Sequence, residues 1–189
     1  MDRRSFLNRA TLGALSVFAV GLGQGSLAYL WPNRAGSTGG EVAAGSLDEV
    51  LQFFEREGKP LYNAEGRFYL VPYDTSDPSN PYVAAGVAAG GVMALYQRCA
   101  HLGCRVPFCE SSGWFECPCH GSRYNIAGAV TRDPAATGLS RFRTRIEDGQ
   151  VVVDTSQPLA APPGGSFTIN QPPAGPFCRE EEEGSQHQG

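Results

Sequence analysis

Residues 99–124 constrain this chain more than any other stretch. They read C-A-H-L-G-C at 99–104 and C-P-C-H-G-S-R-Y at 117–124, and these two boxes hold four of the six cysteines and two of the three histidines. The third histidine, His187, stands in a polar tail. A chain so poor in histidine has set both of its body histidines close to cysteines, as Cys99-x-His101 and Cys117-x-x-His120. Thiolate and imidazole are metal ligands, and a site drawn from two separated loops needs a fold that brings both loops to one place. Short strands and tight turns do this. The 24 glycines and 14 prolines among 189 residues favour turns over long helices, while 41% hydrophobic content allows one real core.

Taken in order, the chain changes character several times. Residues 1–31 carry Arg3, Arg4 and Arg9 against Asp2, a net +2; the other 12 basic and 18 acidic residues leave −6, together the −4 of the whole. That weak acidity argues against a nucleic-acid partner. Ala10–Trp31 has no charged side chain, and as a helix its 22 residues rise about 33 Å, enough for a hydrocarbon core of about 30 Å. It is expected to be a retained membrane anchor through residues 10–31; a cleaved signal or a buried apolar helix are the alternatives. No convincing small-x-small cleavage site precedes Trp31-Pro32, and Tyr29 and Trp31 suit a membrane interface. The basic start implies a cytoplasmic N-terminus and an exported body. The R-R-S-F-L element at 3–7 resembles a twin-arginine export signal, a route for proteins already folded around a cofactor.

Residues 32–45, N-R-A-G-S-T-G-G-E-V-A-A-G from 33, are expected to be a flexible hinge linker. Ser46 predicts the cap of an amphipathic helix over 47–57, with Leu47, Val50, Leu51 and Phe54 on its apolar face and Gly58 ending it. Strands are predicted at Arg67–Tyr73, Val92–Gln97 and Trp114–Cys117, with a hairpin of Ser140–Ile146 and Val151–Asp154 around E-D-G-Q and a surface loop over 74–81. The fold class is all-β, with one small helix and one N-terminal transmembrane helix. The expected divisions are 1–31 anchor, 32–45 linker, 46–155 metal-binding domain with its site in about 98–137, and 156–189 a Pro/Gly-rich tail in which E-E-E-E at 180–183 is solvated.

Zinc could use two cysteines and two histidines, but such zinc motifs usually draw the cysteines from one half and the histidines from the other. Here each half donates one of each, so each loop can supply a thiolate to one iron and an imidazole to another. That is the ligand set of a [2Fe–2S] centre in which two histidines replace two cysteines on one iron. Structural cysteines with incidental histidines are the bland alternative.

Both boxes resemble those of Rieske iron–sulfur proteins. The resemblance covers roughly residues 3–155 and implies antiparallel sheets with a small cluster-binding subdomain. It implies that Cys99 and Cys117 ligate the inner iron, that His101 and His120 ligate the outer one, and that Cys104 and Cys119 form a disulfide joining the two loops. Ser122 and Tyr124 match hydroxyls that donate to cluster sulfurs and raise the potential. Leu102 matches an apolar residue that shields the cluster and faces quinol. The family's third loop usually reads G-P-A-P; here Asp133-Pro134-Ala135-Ala136 keeps only Pro134 and Ala135. Cys109 and Cys178 remain, and thiols in an exported protein tend to oxidise. They are expected to form a second disulfide, with free or separately paired thiols as the alternative, since connectivity does not follow from sequence.

The Cys104/Cys119 pair points to the subunits of quinol:cytochrome c oxidoreductases, the cytochrome bc-type complexes. The implied partners are a cytochrome b subunit, a c-type cytochrome and quinol. The implied role is one-electron transfer from quinol with proton release, on a head outside the cell membrane. Either His101 or His120 would meet the quinol. The rival is the Rieske subunit of another exported oxidoreductase such as arsenite oxidase; an oxygenase component is disfavoured by export and by Cys104/Cys119.

Overall fold

The computed structural model describes residues 2–30, 39–161 and 169–179. They fall into two compact units, residues 1–37 and residues 38–189. Among the described residues the first holds a single helix, α1 (Arg3–Leu30), which starts ahead of the expected apolar run and is long and apolar enough to cross a membrane. None of its residues is buried. Its hydroxyls are satisfied internally: Thr11 donates to the Leu7 carbonyl at 2.9 Å and Ser16 to that of Leu12 at 2.8 Å. An apolar surrounding therefore leaves neither of these groups unpaired.

The second unit is two antiparallel sheets. Among the described residues the larger runs β1 (Glu41–Ser46), β11 (Gln150–Leu159), β10 (Arg141–Glu147), β5 (Val92–Tyr96), β3 (Phe68–Pro72) and β2 (Leu61–Asn63), with β4 (Ala88–Ala89) also on β5. The smaller runs β6 (Phe108–Cys109), β7 (Trp114–Glu116), β8 (Arg123–Tyr124) and β9 (Val130–Arg132). The central strands are buried on both faces, and their residues alternate between two cores. Phe68, Leu70, Val92 and Ala94 face one, with Val151, Val153 and Phe142. Tyr69, Val71, Met93 and Leu95 face the other, with Phe115, Tyr124, Cys99 and Cys117.

Helix α2 (Leu47–Glu57) covers the first core through Val50, Leu47, Leu51 and Phe54. It begins and ends as expected: Ser46 Oγ accepts from the Glu49 N–H at 3.3 Å and donates to its carboxylate at 2.8 Å, and Gly58 closes the last turn at φ 63°. The E-D-G-Q hairpin also forms, with Asp148 and Gly149 at φ 47° and 74°, the left-handed pair that a two-residue hairpin turn needs. The second core joins the two sheets. Phe115 packs on Tyr69 at 5.0 Å and Phe108 at 5.3 Å, a contact set whose removal in a Phe→Ala change costs about 3–5 kcal/mol.

Two expectations are corrected. Residues 41–45 are not linker: they form β1, in register Glu41↔Asp154, Val42↔Val153 and Ala43↔Val152. This edge strand is held by its ladder and by a Glu41–Arg145 ion pair at 2.7 Å, so its small side chains show little hydrophobic alternation. The ladder is extended by Thr155, which donates to the Gly40 carbonyl through both its N–H and its hydroxyl at 2.9 Å. Likewise β11 runs on to Leu159, and 169–179 lies along the small sheet rather than away from it. Residues 31–38, the E-E-E-E run and His187 lie outside the described residues.

Candidate metal centre

The two boxes fold into loops of one design. Cys99 N–H donates to the Cys104 carbonyl at 2.8 Å, and Cys117 N–H to that of Ser122 at 2.8 Å. The Gly103 and Gly121 N–H groups return to the carbonyls of Cys99 and Cys117, at 2.9 and 3.2 Å. Each loop thus closes on its leading cysteine five residues on. The two glycines sit at φ 76° and 79°, and a Cβ on either would meet nothing within 4 Å, so conformation rather than space demands glycine. The first loop springs from the Arg98↔Arg105 bridge, the second from the β7–β8 pair Glu116↔Arg123.

A disulfide joins Cys104 to Cys119 with Cα atoms 6.5 Å apart, and so ties the two loops together. Cys99 and Cys117 are the unpaired cysteines, and both are buried, 4% and 1% exposed. The Cys117, Cys104 and Cys119 sulfurs lie within 4.8 Å of one another, but the last two are bonded and offer no thiolate. His101 and His120 approach edge to face with ring centroids 4.9 Å apart; His101 is half-buried and His120 exposed. The site is therefore layered, with thiols inside, imidazoles outside and Leu102 beside them. Leu102 is 71% exposed, the one large apolar side chain outside α1 in the exposed class among the described residues.

Hydroxyls support the inner layer. Tyr124 is fully buried, with its oxygen 3.1 Å from Cys99 Sγ and accepting the Ala100 N–H at 3.3 Å. Burial and the adjoining Cys99 thiol push the phenol well above its ordinary value, so it stays protonated and can donate to sulfur. Burial pushes the Cys99 thiol up too, but hydrogen bonds from the Tyr124 hydroxyl, the His101 N–H and the Cys117 and Ser122 side chains together outweigh it and bring Cys99 below its ordinary value. For Cys117 burial prevails and the thiol is raised. Ser122, also fully buried, accepts the Ala135 N–H at 3.1 Å, which leaves its proton free to donate. Ala135 belongs to the third loop, where Asp133–Pro134 is a cis peptide. The loop that matched the family pattern least is thus pinned to the hydroxyl that matched it well.

The second disulfide, Cys109–Cys178, is present with Cα atoms 5.9 Å apart. It anchors a strap over the small sheet, and sequence reasoning missed how closely that strap is fitted. The Gln171 side chain accepts the Ile126 N–H at 2.7 Å, and Ala174 N–H donates to Ser112 at 2.8 Å. Phe177 meets the Trp114 ring at a tilt, with centroids 5.6 Å apart, and the Arg123 guanidinium lies 3.6 Å over its ring. Glu116, next to Cys117 and only 3% exposed, accepts from the Ser112 hydroxyl at 2.7 Å and the Cys178 N–H at 3.2 Å. The sole sequence signal for this strap was the unpaired Cys109 and Cys178.

Two inner thiols, two outer imidazoles and sulfur-directed hydroxyls fit the donor set of a histidine-ligated [2Fe–2S] cluster. Comparison with known proteins agrees. Residues 62–143 match the Rieske [2Fe-2S] domain. The cytochrome b6-f complex iron-sulfur subunit of Prochlorococcus marinus is 35% identical over 155 residues, covering 81% of this chain and 84% of that protein. The same subunit of Synechococcus elongatus is 36% identical over 156 residues, covering 80% and 83%. A cyanobacterial plasma membrane Rieske protein from Synechocystis aligns in structure with a TM-score of 0.42 at 24% identity, over 60% of this chain and 98% of its own. On the sequence relationship, with its domain centred on the two loops, this chain belongs to the Rieske [2Fe–2S] iron–sulfur protein family.

Proposed function

We propose that this chain is the membrane-anchored electron-carrying subunit of a quinol-oxidising complex of the cytochrome b6-f/bc type. It takes one electron from quinol and passes it to a c-type cytochrome. The observation that carries this reading is the layering of the site: an exposed imidazole edge beside an exposed leucine, over buried thiols that receive a hydroxyl donor. The cluster, when bound, supplies reversible one-electron chemistry. Cys99 and Cys117 would hold it from inside and His101 and His120 from outside. Leu102 offers the quinol ring an apolar contact. An imidazole nitrogen of His101 or His120 accepts a hydrogen bond from the quinol hydroxyl and takes its proton as the electron leaves; the proton is released on the outer side. The second electron would leave through the cytochrome b partner.

The anchor completes the reading. Helix α1 anchors the chain in the bilayer with R-R-S-F-L on the cytoplasmic side, and the head works on the outer side. Purification of the full chain from its native membrane tests this. Co-purification of b-type haem, with quinol reducing the cluster, is expected. A chain that co-purifies without b-type haem and is reduced by arsenite instead would establish the rival reading.

The buried phenol gives a second expected result. Tyr124→Phe keeps the ring and removes the donor to Cys99 sulfur. A hydrogen bond to a charged group is worth about 1.5–3 kcal/mol, and it strengthens as the site gains negative charge. The equilibrium constant for electron uptake should fall about tenfold, a drop of about 59 mV for a one-electron couple, as read by potentiometric titration. An unchanged potential would mean that the phenol only packs.

A further inference from the structure

Arg141 opens β10 and is 2% exposed, among the largest fully enclosed side chains of the head. Its Nη1 donates to the Leu139 carbonyl at 2.9 Å and its Nη2 to that of Ala127 at 2.7 Å, while the guanidinium lies 4.1 Å over the Tyr82 ring. Nε is buried without a partner. Among the described residues no carboxylate pairs with it. The groove of about 340 Å³ beside it is lined by Pro81, Tyr82, Val87, Leu159 and alanines, and brings no acid. Burial pushes the guanidinium below its ordinary pKa, yet arginine stays charged at any ordinary pH.

Burying a charge against two carbonyls and one ring face, with no carboxylate, is costly, and an apolar side chain of similar size would fill this place without that penalty. The charge therefore needs a counterpart. The same core that receives the carbonyls of Leu139 and Ala127 contains Tyr124, Cys99 and Cys117. Thiolates there, and the electron taken up beside them, place negative charge in the same core, where screening is weaker than in bulk water.

We infer that Arg141 is a potential-tuning residue, whose unneutralised buried charge favours electron uptake at the Cys99/His101/Cys117/His120 site. This rests on the reading of that site as the cluster site. The competing account is purely mechanical, since the two carbonyl bonds also brace the segment that carries the third loop. The two separate cleanly. Leu159 is the antiparallel register partner of Arg141 and is half-buried, so Leu159→Glu sets a carboxylate across from the guanidinium while leaving the arginine in place.

The test is potentiometric titration of the full, cluster-bearing chain in detergent, with thermal unfolding recorded on the same samples. Leu159→Glu and Arg141→Met are each expected to lower the equilibrium constant for electron uptake about three- to tenfold, the tenfold limit being about 59 mV. Arg141→Lys, which keeps the charge but not the fork, should stay within about twofold. An unchanged potential in Leu159→Glu, or equal shifts in Arg141→Lys and Arg141→Met, would overturn the inference. If Arg141→Met does not fold, Leu159→Glu and Arg141→Lys still decide. A parent chain with no cluster spectrum at all would overturn the site reading instead, and is told apart before any variant is made.

Discussion

Cys117→Ser in the full chain is expected to abolish cluster incorporation, with bound iron falling from about two atoms per chain to near zero. The thiol is 1% exposed, so no water can take its place, and a serine hydroxyl at that depth does not ionise to replace a thiolate. The loop itself should survive. Its closure runs through the Cys117 backbone to Ser122 and Gly121, and the Cys104–Cys119 disulfide is independent of the substituted sulfur. The variant should therefore remain folded by circular dichroism while losing its visible absorption. Full iron content would remove Cys117 from the ligand set.

Replacing both Cys109 and Cys178 with alanine should produce a large loss of stability from a change distant from the ligands. The bond closes a separation of 69 residues, against 15 for Cys104–Cys119. On the chain-entropy model the longer loop is worth about 4 kcal/mol and the shorter about 3 kcal/mol. The strap's own hydrogen bonds, Gln171 to Ile126 and Ala174 to Ser112, soften the loss without restoring the covalent constraint. Urea unfolding of the non-reduced protein measures it. The cluster spectrum should persist at low temperature, because among the described residues the strap reaches the two loops through Glu116 and Arg123 and bonds to none of the four cysteine and histidine side chains of the site. A stability change under about 1 kcal/mol would mean that the strap is held by its hydrogen bonds and by Phe177 alone.

What could be read from the chain, and what could not, follows from where the stabilising interactions lie. Helix α2 was legible because its signals are local: Ser46, the i, i+3, i+4 apolar positions and Gly58 all act within one segment. So was the Asp148-Gly149 hairpin. The site loops were legible because cysteine, histidine and positive-φ glycine have few other uses at that spacing. Strand β1 was not, because E-V-A-A-G-S carries no strong alternation and its order comes from the β11 ladder more than a hundred residues away. Strands β6, β8 and β9 are two or three residues long, too short for a period to register. The strap escaped because scattered single contacts of a proline-rich segment hold it, and composition alone suggests solvation. Buried Glu116 escaped for the same reason, since nothing in W-F-E marks a carboxylate that accepts from Ser112 and Cys178 rather than water.

The central claim is that two imidazoles and two thiolates hold the redox group. Electron–nuclear double resonance on the dithionite-reduced full chain, with histidine labelled by nitrogen-15, tests it directly. Two directly coordinated nitrogens are expected, and a His120→Ala sample should show at most one, or no cluster. A reduced signal with no histidine nitrogen coupling would contradict the account.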